Sequence, residues 1–396
     1  MESIPRDNIV NHLTNHSLIK STQHGFMAKS SCATNLLKFL EKITKIFDEG
    51  DPLDIVYLDL AKANDKVPHQ RLLNKMRSLG IEGNIVRWAE SWLKNRRQRT
   101  VLNGCYSDWL EVISGVPQGS VLGPLLFVVI IKDINNCSEQ ISILLKFADD
   151  TKVANRVSTA DEREQLQSCL DKLVDWANTW CMKFNTEKCK VLHLGRSNPL
   201  QSYTMEGSPL ADIDKERDIG VIISSSLKPT LQCIEAAWRA SAVLPQISKS
   251  FLYRNRKVFL QLYKQFVRCH LEFAVPAWSP WADGDIDLLE HVQRRVVNLI
   301  SGLAGRTYKE KLREIGMSAL VERRIKYDLV QTYKILNGID NVDFSIWFKL
   351  VGQTTCIQTR NTAYERNLLF STARTDVRKH LFSMRVVSVW NALPRT

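Results

Sequence analysis

Two strand-like segments that both end on acid constrain this chain more than any other feature. Asp54-Ile-Val-Tyr-Leu-Asp59-Leu60 is β-branched and aromatic-rich, then gives way to a polar turn and a helix around Gln70 to Leu79, ended by Gly80. Ile141 to Phe147 runs into Ala148-Asp149-Asp150-Thr151 and returns through Val153 and Ala154, which is the pattern of a hairpin with acids at its tip. A fold that brings these strands together delivers Asp59, Asp149 and Asp150 to one end of a sheet. Crowded like charges repel and lose hydration, so cations are needed to neutralise them. Mg²⁺ is the natural candidate, and two such ions about 3.5–4 Å apart suit an in-line phosphoryl displacement. Spacing alone leaves a plainer reading open, in which Asp150 is an ordinary turn residue and Asp59 a helix cap. Asp65 reads as the cap of the helix that follows.

A second signal is Ser114-Gly-Val-Pro-Gln-Gly-Ser-Val-Leu-Gly-Pro-Leu-Leu-Phe127, whose glycines let backbone approach a ligand and hold Gln118 just before a helix. The same stretch also serves as a plain connector in the bland reading. Around these motifs the pattern is mixed. Thr34 to Asp48, Ile85 to Asn95 and Asp161 to Phe184 carry helical periodicity, strands are expected near Gln98 to Asn103, Trp109 to Ser114 and Val191 to Leu194, and a β-rich stretch reaches Ser226. Beyond Leu231 the pattern is mostly helical.

Composition narrows the partners. With 54 Lys+Arg against 42 Asp+Glu the net charge is +12, which draws polyanions such as nucleic acid. The longest apolar run, Val121 to Ile131, is interrupted by Gly123 and Pro124 and is far short of the roughly 18–20 residues of a membrane span, so no membrane partner is expected. Nine cysteines without a CxxC pair indicate neither a disulfide framework nor a zinc site and read as reduced intracellular thiols. HExxH and GxxxxGK[ST] are absent, which removes zinc hydrolysis and P-loop chemistry from consideration.

Taken in order, Gln23-His-Gly-Phe26 with Ser31-Cys32, YLDLAKANDKVPH (Tyr57 to His69), SGVPQGSVLGPLLF (Ser114 to Phe127), FADDT (Phe147 to Thr151) and Trp176…Trp180…Phe184-Asn185…Lys188…Leu194-Gly195 resemble the reverse transcriptases of non-LTR retrotransposons of the jockey and chicken-repeat LINE type. Leu262-Tyr263…Val267-Arg268, Leu289-Glu290…Arg294-Arg295 and Val389-Trp390-Asn391…Pro394 extend the resemblance over nearly the whole chain. It implies an α+β right-hand polymerase fold: fingers and a palm with an antiparallel sheet over 1–225, a thumb-like helical region over 226–300, and a helical C-terminal region over 301–396. It implies RNA-directed DNA polymerisation, in which a primer 3′-OH is extended with dNTPs on an RNA template. By the same resemblance, Asp59 and Asp149 hold two Mg²⁺ (or Mn²⁺), with Asp150 as a ligand or orienter and the Leu60 carbonyl completing the shell. Gln118 and Gly119 line the nascent base pair, and Lys188 offers a cation to the leaving pyrophosphate.

Departures from the family pattern carry expectations of their own. Asn64 stands where such enzymes place an aromatic ring that excludes a ribose 2′-OH, so weakened rejection of ribonucleotides is expected. Met27 replaces an expected Arg, leaving Lys29 as the nearby cation for template or triphosphate. Arg96 and Arg97, with Arg87, Lys94 and Arg99, interleave with Trp88 and Trp92, which suits nucleic acid, although burial of both tryptophans in the core fits the pattern equally. From Lys249 to Asp328 there are 15 Lys/Arg against 9 Asp/Glu, suiting a thumb that tracks a duplex. The chain reads as a fragment of a longer reading frame, with an endonuclease or host factors supplied separately. It is expected to be intracellular, and nuclear if integration occurs. The competing expectation is an impaired or co-opted remnant that binds RNA or hybrid without polymerising.

Overall fold

A computed structural model of the chain describes residues 1–138, 141–250, 256–300, 302–351 and 367–394. Cys356 lies outside these residues; the other eight cysteines are free thiols. The chain divides into two compact units, one formed by Met1–Ser31 and Asp51–Ile213, the other by Cys32–Gly50 and Asp214–Thr396. The helix Cys32–Glu49 thus belongs to the second unit although it lies near the N-terminus.

The first unit is built on a five-stranded sheet. In chain order its strands are β1 (Leu53–Leu58), β2 (Ile143–Phe147), β3 (Asp150–Arg156), β4 (Lys190–Leu194) and β5 (Ala211–Ile213), and their order across the sheet is β5-β4-β1-β3-β2. β1 is central and antiparallel to both neighbours, whereas β5 runs parallel to β4. A strand covered on both sides is mostly apolar, and of the residues of β1 only Tyr57 escapes full burial, with Asp54 the one buried charge. Behind the sheet lies the helix Gly123–Ile131, apolar all round and buried at every position but Pro124. Beside it runs Ala160–Thr179, started by a capping box between Thr159 and Glu162 and burying Leu166, Leu170, Leu173 and Trp176. Val56, Leu58, Leu144, Val153 and Val191 of the sheet share one core with these two helices.

The last carbonyls of Gly123–Ile131 are taken by two buried lysines. Lys75 Nζ donates to the Ile130 carbonyl at 2.6 Å and Lys146 Nζ to the Ile131 carbonyl at 2.9 Å. Burial pushes the Lys75 ammonium down to about 8, even with Asp133 beside it. It pushes Lys146 down to about 7.

The second unit is mostly helical, as the periodicity beyond Leu231 predicts. The helix Cys32–Glu49 is tied into it by ion pairs and caps: buried Glu41 pairs with Arg378 and accepts from Ser383 Oγ at 2.6 Å, and the Asp48 carboxylate accepts from the Thr375 N–H and Oγ1, both at 2.7 Å. Arg385 forks onto Asp328 at 2.7 and 2.8 Å. Among the described residues no helix is long and apolar enough to cross a membrane.

Candidate active site

The register of the sheet gathers the acids. Leu58 faces Thr151 across the β1–β3 pair and Phe147 faces Asp150 across β2–β3, so one step beyond the end of β1 Asp59 falls level with Asp150, beside the turn that carries Asp149. Asp59 does not cap a helix, since the residues after it form turns. Its N–H donates to Cys189 Sγ at 3.5 Å and its carbonyl accepts from the Asn185 N–H at 2.8 Å, which fixes the backbone. Burial pushes the Cys189 thiol up to about 11, so the sulfur is a neutral neighbour. The Asp59 side chain is 35% exposed, and Lys188 Nζ stands 3.5 Å from its Oδ2. Leu60 is buried and bridges Phe184 on the same side.

The turn Ala148-Asp149 is two residues long, and Ala148 takes φ 57°, a conformation usually left to glycine in such hairpins. What holds it there is a side chain 125 residues away: Gln23 Oε1 accepts from the Ala148 N–H at 3.1 Å and from the Gly25 N–H at 2.9 Å. Backbone bonds from Lys146 N–H to the Thr22 carbonyl (2.9 Å) and from His24 N–H to the Lys146 carbonyl (3.0 Å) lay this segment along β2. Gly25 passes so close that a Cβ there would sit 2.1 Å from the Ala148 nitrogen. Sequence reasoning singles out Gln23-His-Gly-Phe26 as a motif but gives Gln23 no task. The signal is a Gln two residues before a Gly; its partner is invisible in one dimension.

A glycine-rich loop is latched to the turn segment that follows Asp59. The Gly115 and Val116 N–H groups donate to the Val67 and Asn64 carbonyls, both at 2.8 Å, and Ser114 Oγ donates to the Asp65 carbonyl at 2.9 Å. Gly115 is required here, since a Cβ would lie 2.7 Å from the Asp65 oxygen at φ 88°. Asp65 is not the helix cap expected of it: the helix His69–Ser78 starts at Pro68 without a side-chain cap, and the Asp65 carboxylate accepts from Gln118 Nε2 at 3.0 Å. Half-buried Asn64 thus sits against the same loop as exposed Gln118 and Gly119. Lys29 and Arg97 are exposed, and Arg96 is half-buried with its Nη1 lacking a hydrogen-bond partner. Trp88 and Trp92 stack on each other at 5.9 Å and are half-buried, packed against the core.

Among the described residues no group of three or more His, Cys, Asp or Glu side chains forms a ready metal cage. The sheet end instead offers oxygen donors only, half-buried at Asp59 and Asp149 and exposed at Asp150. Mg²⁺ takes few protein carboxylates and keeps waters and substrate phosphates in its shell, so this donor set fits a hard divalent ion completed by substrate. Acids gathered at an open sheet end suit, in class, phosphoryl-transfer chemistry.

Comparison with known proteins places the chain more narrowly. Residues 6–230 match the family described as reverse transcriptase (RNA-dependent DNA polymerase), and the chain belongs to that family. Its α+β architecture is the right-hand polymerase fold, and enzymes of this family generally use divalent metal ions. The probable RNA-directed DNA polymerase from transposon X-element of Drosophila melanogaster is 26% identical over 305 residues, covering 74% of this chain and 33% of that protein. The RNA-directed DNA polymerase from mobile element jockey of Drosophila funebris is 25% identical over 297 residues, covering 72% and 32%. The chain therefore spans about a third of the length of these curated relatives. Among solved structures, apo telomerase from Candida tropicalis is similar at TM-score 0.47 and 14% identity, over 80% of this chain and 54% of that one.

Proposed function

We propose that this chain is an RNA-directed DNA polymerase that extends a primer 3′-OH with dNTPs on an RNA template. The observation that carries the reading is the strand register that sets Asp59 level with Asp150 and beside Asp149 at one open end of the sheet. In this reading Asp59 and Asp149 hold two Mg²⁺, or Mn²⁺ in their place, with Asp150 as third ligand or orienter and the Leu60 carbonyl as a further donor. Bound there, the ions supply charge stabilisation to the attacking and departing oxygens. The chain's own residues do the positioning. Asp65 holds Gln118 by a 3.0 Å hydrogen bond, keeping it beside Asn64, while Gly119, at φ 78° with open space above it, lets a base pair approach the backbone. Lys188, whose side chain is 67% exposed, is free to turn toward a leaving pyrophosphate. Asn64, smaller than the ring it replaces, leaves room over a ribose 2′-OH, so ribonucleotides are rejected weakly. Residues 1–225 serve as fingers and palm, 226–300 as thumb, and 301–396 as a helical extension.

One observation favours a second reading, that of a binder of RNA or hybrid that does not polymerise. Lys188 stands at the Asp59 carboxylate, where a cation in the lysine's place would otherwise be needed. Incorporation of dTTP on poly(rA)/oligo(dT) with Mg²⁺, compared between the parent and Asp149→Ala, separates the two. The polymerase reading expects incorporation by the parent and its loss in the variant. No incorporation by a parent that still binds the hybrid in a salt-dependent way refutes it.

A further inference from the structure

The segment between the helix Asn84–Leu93 and the glycine loop forms a hairpin that the proposed chemistry does not use. Arg97–Gln98 pairs with Leu110–Glu111 and Val101–Leu102 with Cys105–Tyr106. The tip is Asn103-Gly104, with φ 49° and 81°, as a primed turn requires. Every residue from Arg97 to Glu111 is exposed. Such a two-stranded ribbon gains little stability by itself, and it displays rings that a folded core would bury. Tyr106 is 61% and Trp109 55% exposed, and the Arg99 guanidinium lies 4.2 Å from one ring centre and 4.6 Å from the other. Arg96 and Arg97 stand at the base, Arg96 with an unpartnered buried Nη1. A cleft of about 490 Å³ opens there and runs from Arg96 and Gln98 to Ser114 and Gln118.

We propose that this hairpin is a stacking platform for the unpaired template strand before it reaches the glycine loop. Aromatic faces take bases of any sequence, interleaved arginines take phosphates, and the cleft leads from the platform to Gln118, where the proposed base pair forms. Cations crowded among exposed rings are complementary to a polyanion that carries flat bases. The proposal rests on the polymerase reading for the direction of travel, but its test does not.

The full chain is titrated against labelled single-stranded r(U)15 and against a blunt RNA–DNA hybrid, as the parent and as the double variant Tyr106→Ala/Trp109→Ala. The variant is expected to bind r(U)15 about tenfold more weakly, with hybrid affinity and melting midpoint unchanged, because the rings support no core. Tyr106→Phe/Trp109→Phe keeps the stacking faces and is expected to restore r(U)15 affinity. Unchanged r(U)15 binding, or equal weakening on r(U)15 and hybrid, overturns the platform and leaves the face to a protein. A parent that binds r(U)15 through these rings yet extends no primer supports the platform while the polymerase reading falls. A parent that extends primers while the double variant keeps an unchanged template KM overturns the platform alone.

Discussion

One aspartate lies near the start of strand β1 and another one step beyond its end, and the two are treated in opposite ways. Asp54 is wholly buried and fully partnered: His193 Nδ1 at 2.7 Å, Asn198 Nδ2 at 2.7 Å and the Tyr203 hydroxyl at 2.8 Å all donate to it, while the far side of the imidazole reaches Asp212 at 3.1 Å. Asp59, five residues on, is a third exposed and faced by one exposed lysine, Lys188. A carboxylate removed from water must be saturated with donors or the fold loses several kcal/mol, so Asp54 reads as structure. One that keeps its hydration and lacks donors has capacity left for a ligand. The same residue type therefore serves to fasten β4 to β1 near the start of the strand and to offer charge just beyond its end.

The contrast breaks most sharply with paired substitutions. Asp59→Asn is expected to lower dTTP incorporation by about a thousandfold while leaving the thermal midpoint nearly unchanged, because nothing in the core depends on it. Asp54→Ala should do the reverse. It strands a buried His, Tyr and Asn, so chemical denaturation should report a loss of about 3–5 kcal/mol, with the remaining folded protein still active at low temperature. A severe activity loss in folded Asp54→Ala would erase the distinction between the two ends.

Gln23→Ala sharpens the comparison at intermediate size. It removes the acceptor of the Ala148 N–H in the turn and of the Gly25 N–H in its own segment, so a stability loss of about 1–3 kcal/mol is expected, together with a fall in kcat larger than any change in dNTP KM. An unchanged kcat would reduce Gln23 to a simple loop anchor. Chelating divalent cations with EDTA should abolish incorporation and leave the Gln23-dependent stability difference in place, which circular dichroism checks directly.

The smallest effect is a pH dependence at the buried end. Burial works against a charged imidazole, but the hydrogen bonds and charges of Asp54 and Asp212 outweigh it and hold the His193 pKa above its ordinary 6.5. A raised histidine contributes its full stability below the unfolded value and loses it as pH climbs through the folded one. Parent minus His193→Gln stability should therefore shrink as pH rises above the ordinary 6.5 and through the raised folded value. Taking the difference matters, because Lys146, pushed down to about 7 by burial, gives the opposite slope, with stability growing from there toward the ordinary lysine range.

Much of the site was readable in one dimension. The strand, turn and helix signals around Asp59, and the hairpin that carries Asp149 and Asp150, are local patterns, and pairing two strands by their apolar faces leaves one sensible register. The glycine loop was also legible, but its latch was not. Asp65 looks like a cap in sequence because a helix follows it, and it holds Gln118 instead because a loop 53 residues away folds over it. Trp88 and Trp92 show the same limit from the other side. Alternating Trp and Arg fits a nucleic-acid face and a core face equally, and only the neighbours decide between them.

By itself the amino-acid order determined the elements, the acidic sheet end and membership of a polymerase family, since these depend on periodicities and motifs a few residues long. Tertiary structure alone decided that Gln23 props a turn 125 residues away, that Asp54 and His193 form a satisfied knot, and that Cys32–Glu49 joins residues more than 320 positions later through Asp48 and Thr375. The physical reason is that a hydrogen bond or a buried charge is specified by what surrounds it in space. Neighbours along the chain set a residue's conformation, while its partners are chosen only when the chain closes on itself.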